Sequence, residues 1–463
     1  MTTAGLQLSV GGYSSTVPLL LSKVLGHISE LLAEYRELGA LLLEADRGSA
    51  GETAGGGGGG GATLSARQEL LRQRFETSRE SFLRYYRNAA QDQPYETADY
   101  YIRQVMEAEV WHIDEYRRAL EDESCTPSDM AGHFDEVLAR MRVDVMAHGN
   151  VAREEAEGLV DTIAAALGRP VPLPEAELPT RHALKLPAAA AGEHGEGEGS
   201  GVVVVDLQAA AEEEKNSAVQ VYLQAAPGES NLDLASAMEF INTLGYTSAF
   251  QQLRTREQLG YIVYTQLERG PSGRVSPPPS WDGSGGGGAD GGGGGIHPGG
   301  PLAWSVVVQS NDKTPAELEE RVEAWVAAFR DELAEMSDEV FESTVASMSS
   351  SALRRERSMR EEASIFFGAI ASRTGDFYRR YRKAESYARL TKQAVLAAYD
   401  QFYAPGAPDR RKLTVRVASQ KHARQASAAA GGGDGAEEER EGAVVLRSLE
   451  EIRAFKARTP IYE

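Results

Sequence analysis

Two fragments of the chain come close to a zinc-binding helix: His112-Ile113-Asp114-Glu115-Tyr116 and His133-Phe134-Asp135-Glu136-Val137. Zinc held on one helix needs two imidazoles about four residues apart on a common face, as in H-E-x-x-H or its inversion H-x-x-E-H. Tyrosine and valine stand where the second histidine would be, so each fragment offers one imidazole and carboxylates, and no metal site is expected in this chain. The single cysteine, Cys125, excludes an intramolecular disulfide and a cysteine zinc knuckle. With no base placed near it in sequence, it reads as a structural or incidental thiol. There is no Gly-x-Ser-x-Gly elbow. Glycine/alanine-rich stretches at 49–62, 188–201, 283–300 and 427–438 satisfy a loose G-x-G-x-x-G pattern, but none runs into Lys-Ser or Lys-Thr at a helix start. They read as solvated loop insertions rather than phosphate cradles. His148-Gly149-Asn150 reads as a turn.

The segment Tyr246–Glu268, YTSAFQQLRTREQLGYIVYTQLE, is more informative. A helix carrying Phe250, Leu253 and Arg254 is expected to end near Leu259, with Gly260 taking the positive φ past its end, and Tyr261-Ile262-Val263-Tyr264 alternates as a strand. Arg254 then sits on the last helical turns and Tyr261 on the first strand residue. That placement can aim a guanidinium and a phenol at one end of a sheet, where they could hold the carbonyl or oxyanion of a bound peptide. The same residues also fit a surface ion pair of Arg254 with Glu257 beside a half-buried Tyr261.

The elements around this segment follow from periodicity. Long helical patterns run over 18–43 and 64–91, Thr126-Pro127 caps a helix, Val143-Asp144-Val145-Met146 alternates like a strand, and a helix covers about 152–167. Three prolines in Arg169-Pro170-Val171-Pro172-Leu173-Pro174 make a stiff linker. Beyond it strands are expected at 202–208, 218–224, 261–268, 303–309 and 411–418. Between them come helices at about 231–258, after Thr314-Pro315, from 338 to 373, and at 376–404. The fold class is α+β, with helices packed on one face of a largely antiparallel sheet in each of two domains. The length of 463 residues allows that, and a formal charge of −21 disfavours nucleic acid and anionic membranes as main partners while favouring basic peptides. No apolar run approaches the roughly 20 residues that span a bilayer. One cysteine and no cleavable leader suggest the cytoplasm.

At Tyr246–Glu268 the sequence also resembles a known family. LRTREQLGYIVY is similar to a segment in the last domain of the insulin-degrading enzyme (insulysin) branch of the pitrilysin-type zinc metallopeptidases. AGLQLSVGGYSSTVPLLLSKVL, RYYRNAAQDQPYETADYYIRQVM, EVWHIDEYRRAL, Ala147-His148-Gly149-Asn150 and SLEEIRAFKARTPIYE resemble the third and fourth domains of that family, in order. The resemblance implies four homologous α+β domains in two halves that close around a peptide, with zinc in the first domain of the complete enzyme. On this reading residues 1–168 are a third domain begun part-way, 169–179 a linker and 180–463 the fourth domain. Arg254 and Tyr261, with Phe250 on the same wall, would reach the substrate backbone near the scissile bond. The resemblance also places a basic, anion-binding patch near Arg354, Arg355 and Arg357, though these fit equally as exposed helical arginines pairing with Glu361 and Glu362. The expected role is the non-zinc half of a peptidase, inactive alone, with peptide substrates, a zinc-bearing N-terminal half and a homodimer as partners. A stand-alone peptide-binding or scaffold protein derived from the peptidase is the alternative.

Overall fold

The structure, a computed structural model, describes residues 6–51, 64–88, 92–122, 125–178, 180–188, 201–225, 231–270, 300–371, 374–424 and 443–462. The stretch 427–438, and nearly all of the other three glycine-rich stretches, lie outside the described residues. In chain order the elements begin with α1 (Val17–Gly51), α2 (Ala66–Asn88), α3 (Pro94–Met106), α4 (Ile113–Glu121) and α5 (Pro127–Ala139). Next come β1 (Arg140–Met141), α6 (Arg153–Ala166), β2 (Val171–Pro172), β3 (Val202–Gln208), β4 (Ser217–Gln224) and α7 (Leu232–Ala249). The remainder is β5 (Ile262–Arg269), β6 (Leu302–Ser310), α8 (Pro315–Glu335), α9 (Asp338–Ala352), α10 (Met359–Ala371), α11 (Arg379–Arg389), α12 (Lys392–Phe402), β7 (Arg411–Ala418), β8 (Val444–Leu446) and a last helix, Leu449–Arg458. Among the described residues no helix is long and apolar enough to cross a membrane.

The chain forms two compact units, and neither is continuous in sequence. The first takes 1–89, 111–179 and 357–367; the second takes 90–110, 180–356 and 368–463. In the first unit, α1 packs on α5 and α6, and α2 packs on α4. At Gly39 an added Cβ would lie 2.6 Å from the Ser128 backbone, so glycine is what lets α5 approach α1 so closely. Arg36 Nε meets Asp135 at 2.6 Å, and Arg67 meets Glu34 at 2.9 Å. The strand expected at Val143–Met146 does not form. Arg140–Met141 pairs in parallel with Val171–Pro172 instead, and the ladder is short because proline has no N–H to extend it.

The second unit holds a six-stranded sheet in the order β5-β6-β4-β7-β3-β8. β4 runs antiparallel to β6 and β7, β5 antiparallel to β6, and β3 parallel to β7 and β8. The α+β class is as expected, but helices cover both faces of this sheet rather than one. The reason is visible in β4 and β6, where every residue is buried, as happens when a strand has a core on each side. On one face α7, α8 and α12 close over Val221, Val306 and Trp304, and Trp304 sits 5.3 Å from Tyr403 and 5.5 Å from Trp325, centroid to centroid. On the other, Ile102 and Val105 of α3, with Ile452 and Phe455 of the last helix, cover Val203, Val205, Leu413 and Val415.

The first face also buries charge. Lys412, 1% exposed, bonds Glu319 and meets Glu323 at 2.6 Å, Arg416 meets Glu319 at 2.7 Å, and Arg410 meets Glu323 at 2.8 Å. Burial pushes both carboxyls up, but the cations outweigh it: Lys412 and Arg416 hold Glu319 down at about 2, and Lys412 and Arg410 hold Glu323 below its ordinary value.

Candidate functional site

The site lies where α7 runs into β5. Asn231 caps α7 through its side-chain oxygen, which accepts the Leu234 N–H at 3.1 Å, and the helix continues to Ala249. The chain then widens into a π-turn over Phe250–Arg256 in place of the α-helix expected to reach 258. Glu257 N donates to Gln252 O at 3.0 Å and Thr255 Oγ1 to Phe250 O at 3.3 Å, both spanning five residues. Fully buried Leu253 anchors this turn, and π-turns of this kind are rare and concentrate at functional sites.

Gly260 does not take the positive φ expected of it; Gln258 does, at φ 54°. Glycine is needed at 260 for a different reason. A Cβ there would lie 1.8 Å from the Gln309 carbonyl oxygen, so only a residue without a side chain lets the entry to β5 pass the end of β6. Gly260→Ala is expected to cost about 1–3 kcal/mol by forcing that backbone apart. A thermal melt checks this, and an unchanged Tm would mean that β5 can enter the sheet another way.

The π-turn and strand bring the three predicted residues together. The Arg254 guanidinium carbon lies 4.6 Å from the Phe250 ring centroid and 4.4 Å from that of Tyr261. Both contacts are cation–π contacts, strongest when water is excluded. Tyr261 is 78% exposed and Phe250 36%, so Tyr261 is not the half-buried residue of the alternative. Nor does Arg254 pair with Glu257, whose carboxylate meets Arg321 at 2.7 Å and Gln252 at 2.9 Å. The bond from Arg321 holds the Glu257 pKa below its usual value, against the upward push of burial. Arg254 therefore offers its N–H groups to whatever approaches this end of the sheet.

The other candidate residues are dispersed. Arg354 and Arg355 belong to the second unit and Arg357 to the first, all exposed in the link between α9 and α10. The helices expected between 338 and 373 leave these residues in the link between them, so they are not helical arginines. Glu361 accepts the Arg357 backbone N–H at 2.7 Å, and Glu362 lies 3.0 Å from His148 Nε2. His112 caps α4, its Nδ1 accepting the Asp114 N–H at 3.2 Å. Among the described residues no three His, Cys, Asp or Glu side chains converge as metal ligands do. The sequence reading missed a cleft of about 420 Å³ beside Tyr261, lined by Gln93, Asn216, Gln309, Ser310 and Asn311 among others. Those residues are up to 218 positions apart (93 to 311), and no local spacing announces them.

Comparison with known proteins gives a consistent result. A family model described as PQQ synthase PqqF-like, C-terminal lobe domain 4, matches residues 299–367. The crystal structure of pitrilysin superposes with a TM-score of 0.62 at 18% identity, over 87% of this chain and 36% of that one. Human insulin-degrading enzyme is 24% identical over 419 residues, which is 90% of this chain and 33% of that protein. The chain is similar to the C-terminal part of the insulysin and pitrilysin peptidases. Another relative in that family, insulin-degrading enzyme-like 1, peroxisomal, of Arabidopsis thaliana, is 24% identical over 77% of this chain and 33% of its own length. This insulysin-like chain thus spans about a third of the length of the curated relatives it matches. The family is one of zinc proteases.

Proposed function

We propose that this chain is the substrate-enclosing, non-zinc half of an insulysin-like metallopeptidase, and that it completes an active site whose zinc is carried by an N-terminal half, on the same longer chain or on a separate subunit. The observation that carries this reading is Arg254, placed over two aromatic rings at an open sheet end with no carboxylate partner among the described residues. Such a guanidinium can donate to a peptide carbonyl, and more strongly to the oxyanion that forms when the carbonyl is attacked. The Tyr261 hydroxyl supplies a second donor, and Phe250 an apolar wall. The match over 299–367 to a model of a fourth domain supports reading 180–463 as the fourth domain.

The test is hydrolysis of a quenched fluorogenic peptide with zinc present, by the purified chain alone and mixed with a zinc-bearing N-terminal half from an insulysin-like enzyme. Activity is expected only in the mixture. Chelator-sensitive cleavage by the chain alone would overturn the assignment, and so would a mixture no more active than the zinc-bearing half.

A further inference from the structure

We infer that the cleft beside Tyr261 is a specificity site that takes the side-chain amide of an asparagine or glutamine in a peptide and turns away aspartate and glutamate. This rests on the reading of the chain as a peptide-binding half-enzyme, and it goes further by naming which peptides.

The cleft of about 420 Å³ falls in the range of roughly 300–1,000 Å³ that ligand clefts occupy. It is assembled from the N-cap of α3 (Gln93), the residue before β4 (Asn216), the entry to β5 (Tyr261) and the end of β6 (Gln309, Ser310, Asn311), all in the second unit. Every polar side chain on its wall is neutral, so an ionised group entering it gives up water and meets no counter-charge in the lining itself, the nearest cation being Arg254 against the Tyr261 ring.

Hydrogen bonds behind the wall fix which way the amides point. Gln309, 7% exposed, accepts the Tyr95 N–H at its Oε1, 3.1 Å away, and donates from Nε2 to Gln93 Oε1 at 3.2 Å. With its oxygen occupied, Gln93 presents Nε2 as a donor. Asn216 has the opposite polarity: Nδ2 donates to Glu214 Oε1 at 2.8 Å, which leaves Oδ1 as an acceptor. A donor and an acceptor on one wall match a primary amide, which carries both. A carboxylate can accept from Gln93 Nε2 but makes no bond to the Asn216 oxygen, to which a primary amide can donate. Two further carboxylates add repulsion, Glu96 at 3.0 Å from the Gln93 N–H and Glu214 at 2.6 Å from the Asn216 N–H.

The test uses the full 463-residue chain and a fluorescein-labelled nonapeptide whose central residue is Gln, Asn, Glu, Met or Lys, read by anisotropy. The Gln and Asn peptides are expected to bind about tenfold tighter than the Glu peptide, as one to two net hydrogen bonds allow. Gln93→Met and, separately, Asn216→Leu should bring that ratio within about twofold, read well below each variant's own Tm because Gln93→Met also leaves the buried Gln309 amide without its acceptor. The same series is then run as kcat/KM in the mixture with the zinc-bearing half. If the mixture is inactive but the chain still prefers the amides, the half-enzyme reading fails and the cleft stands. If the mixture cleaves all five peptides alike, or Lys binds tightest, or no peptide is discriminated in either format, the cleft proposal is overturned while the half-enzyme reading is judged on its own assay.

Discussion

Arg254→Ala is expected to lower kcat/KM of the reconstituted peptidase by about 10²–10³-fold, the usual loss when one donor to a developing oxyanion is removed. The effect should fall on catalysis and not on folding. Arg254 makes two ring contacts, worth about 0.5–1 kcal/mol each at exposed sites, and no ion pair with Glu257, which is bound to Arg321. Thermal melts of the chain should therefore move little. Arg254→Lys keeps the charge but not the planar fork, and should recover only part of the rate. Tyr261→Phe removes one neutral donor and should cost about tenfold. An Arg254→Ala mixture that cleaves within threefold of the unsubstituted one would remove this residue from the active site.

Lys412→Met is expected to destabilise the chain by about 3–5 kcal/mol, because it leaves buried carboxylates without their shared cation. Glu319 would keep Arg416 and Glu323 would keep Arg410, but Lys412 is the only one of the three cations that bonds both. Urea unfolding measures the loss, and a change below about 1 kcal/mol would show that the arginines suffice. The same network predicts how stability follows pH. Both carboxyls have folded-state pKa values below the ordinary 4.5, Glu319 at about 2, so the folded chain holds fewer protons than the unfolded one in this range. The stabilisation is complete above about pH 4.5 and declines as pH falls toward 2. A Tm that stays flat between pH 5 and 3 would contradict it.

That network also shows where sequence reading runs out. Residues 411–418 are legible as a strand from alternation, but Lys412, Thr414 and Arg416 read as its solvent side. Lys412 and Thr414 are buried, and Arg416 half-buried, because α8 places Glu319 and Glu323, one helical turn apart, over them. Nothing in either segment alone announces the other. Local signals fared better: Thr314-Pro315 with Glu317 forms the expected capping box, and Arg254 and Tyr261 meet as their spacing implies, with Phe250 beside them as the family resemblance implies. The turn that joins them differs from the α-helix expected because a π-turn and an α-turn can be built from the same residues. The break between α9 and α10 and the short strand β8 have equally weak local signatures. The cover on the second sheet face was missed because α3 comes from before the proline-rich linker, far from the strands it protects.

That last feature bears on synthesis. Lys456 Nζ donates to the Gln104 carbonyl at 3.1 Å, so the layer formed by α3 and the last helix joins residues 352 positions apart. A ribosome adding about 5–20 residues per second needs roughly 20–70 s to make that interval. Throughout it Ile102 and Val105 have emerged without the complete layer they belong to, with Leu413 and Val415 late and Ile452 and Phe455 later still. A growing chain of this design presents apolar surface for most of its translation, which makes it a natural client for chaperones that hold nascent polypeptides.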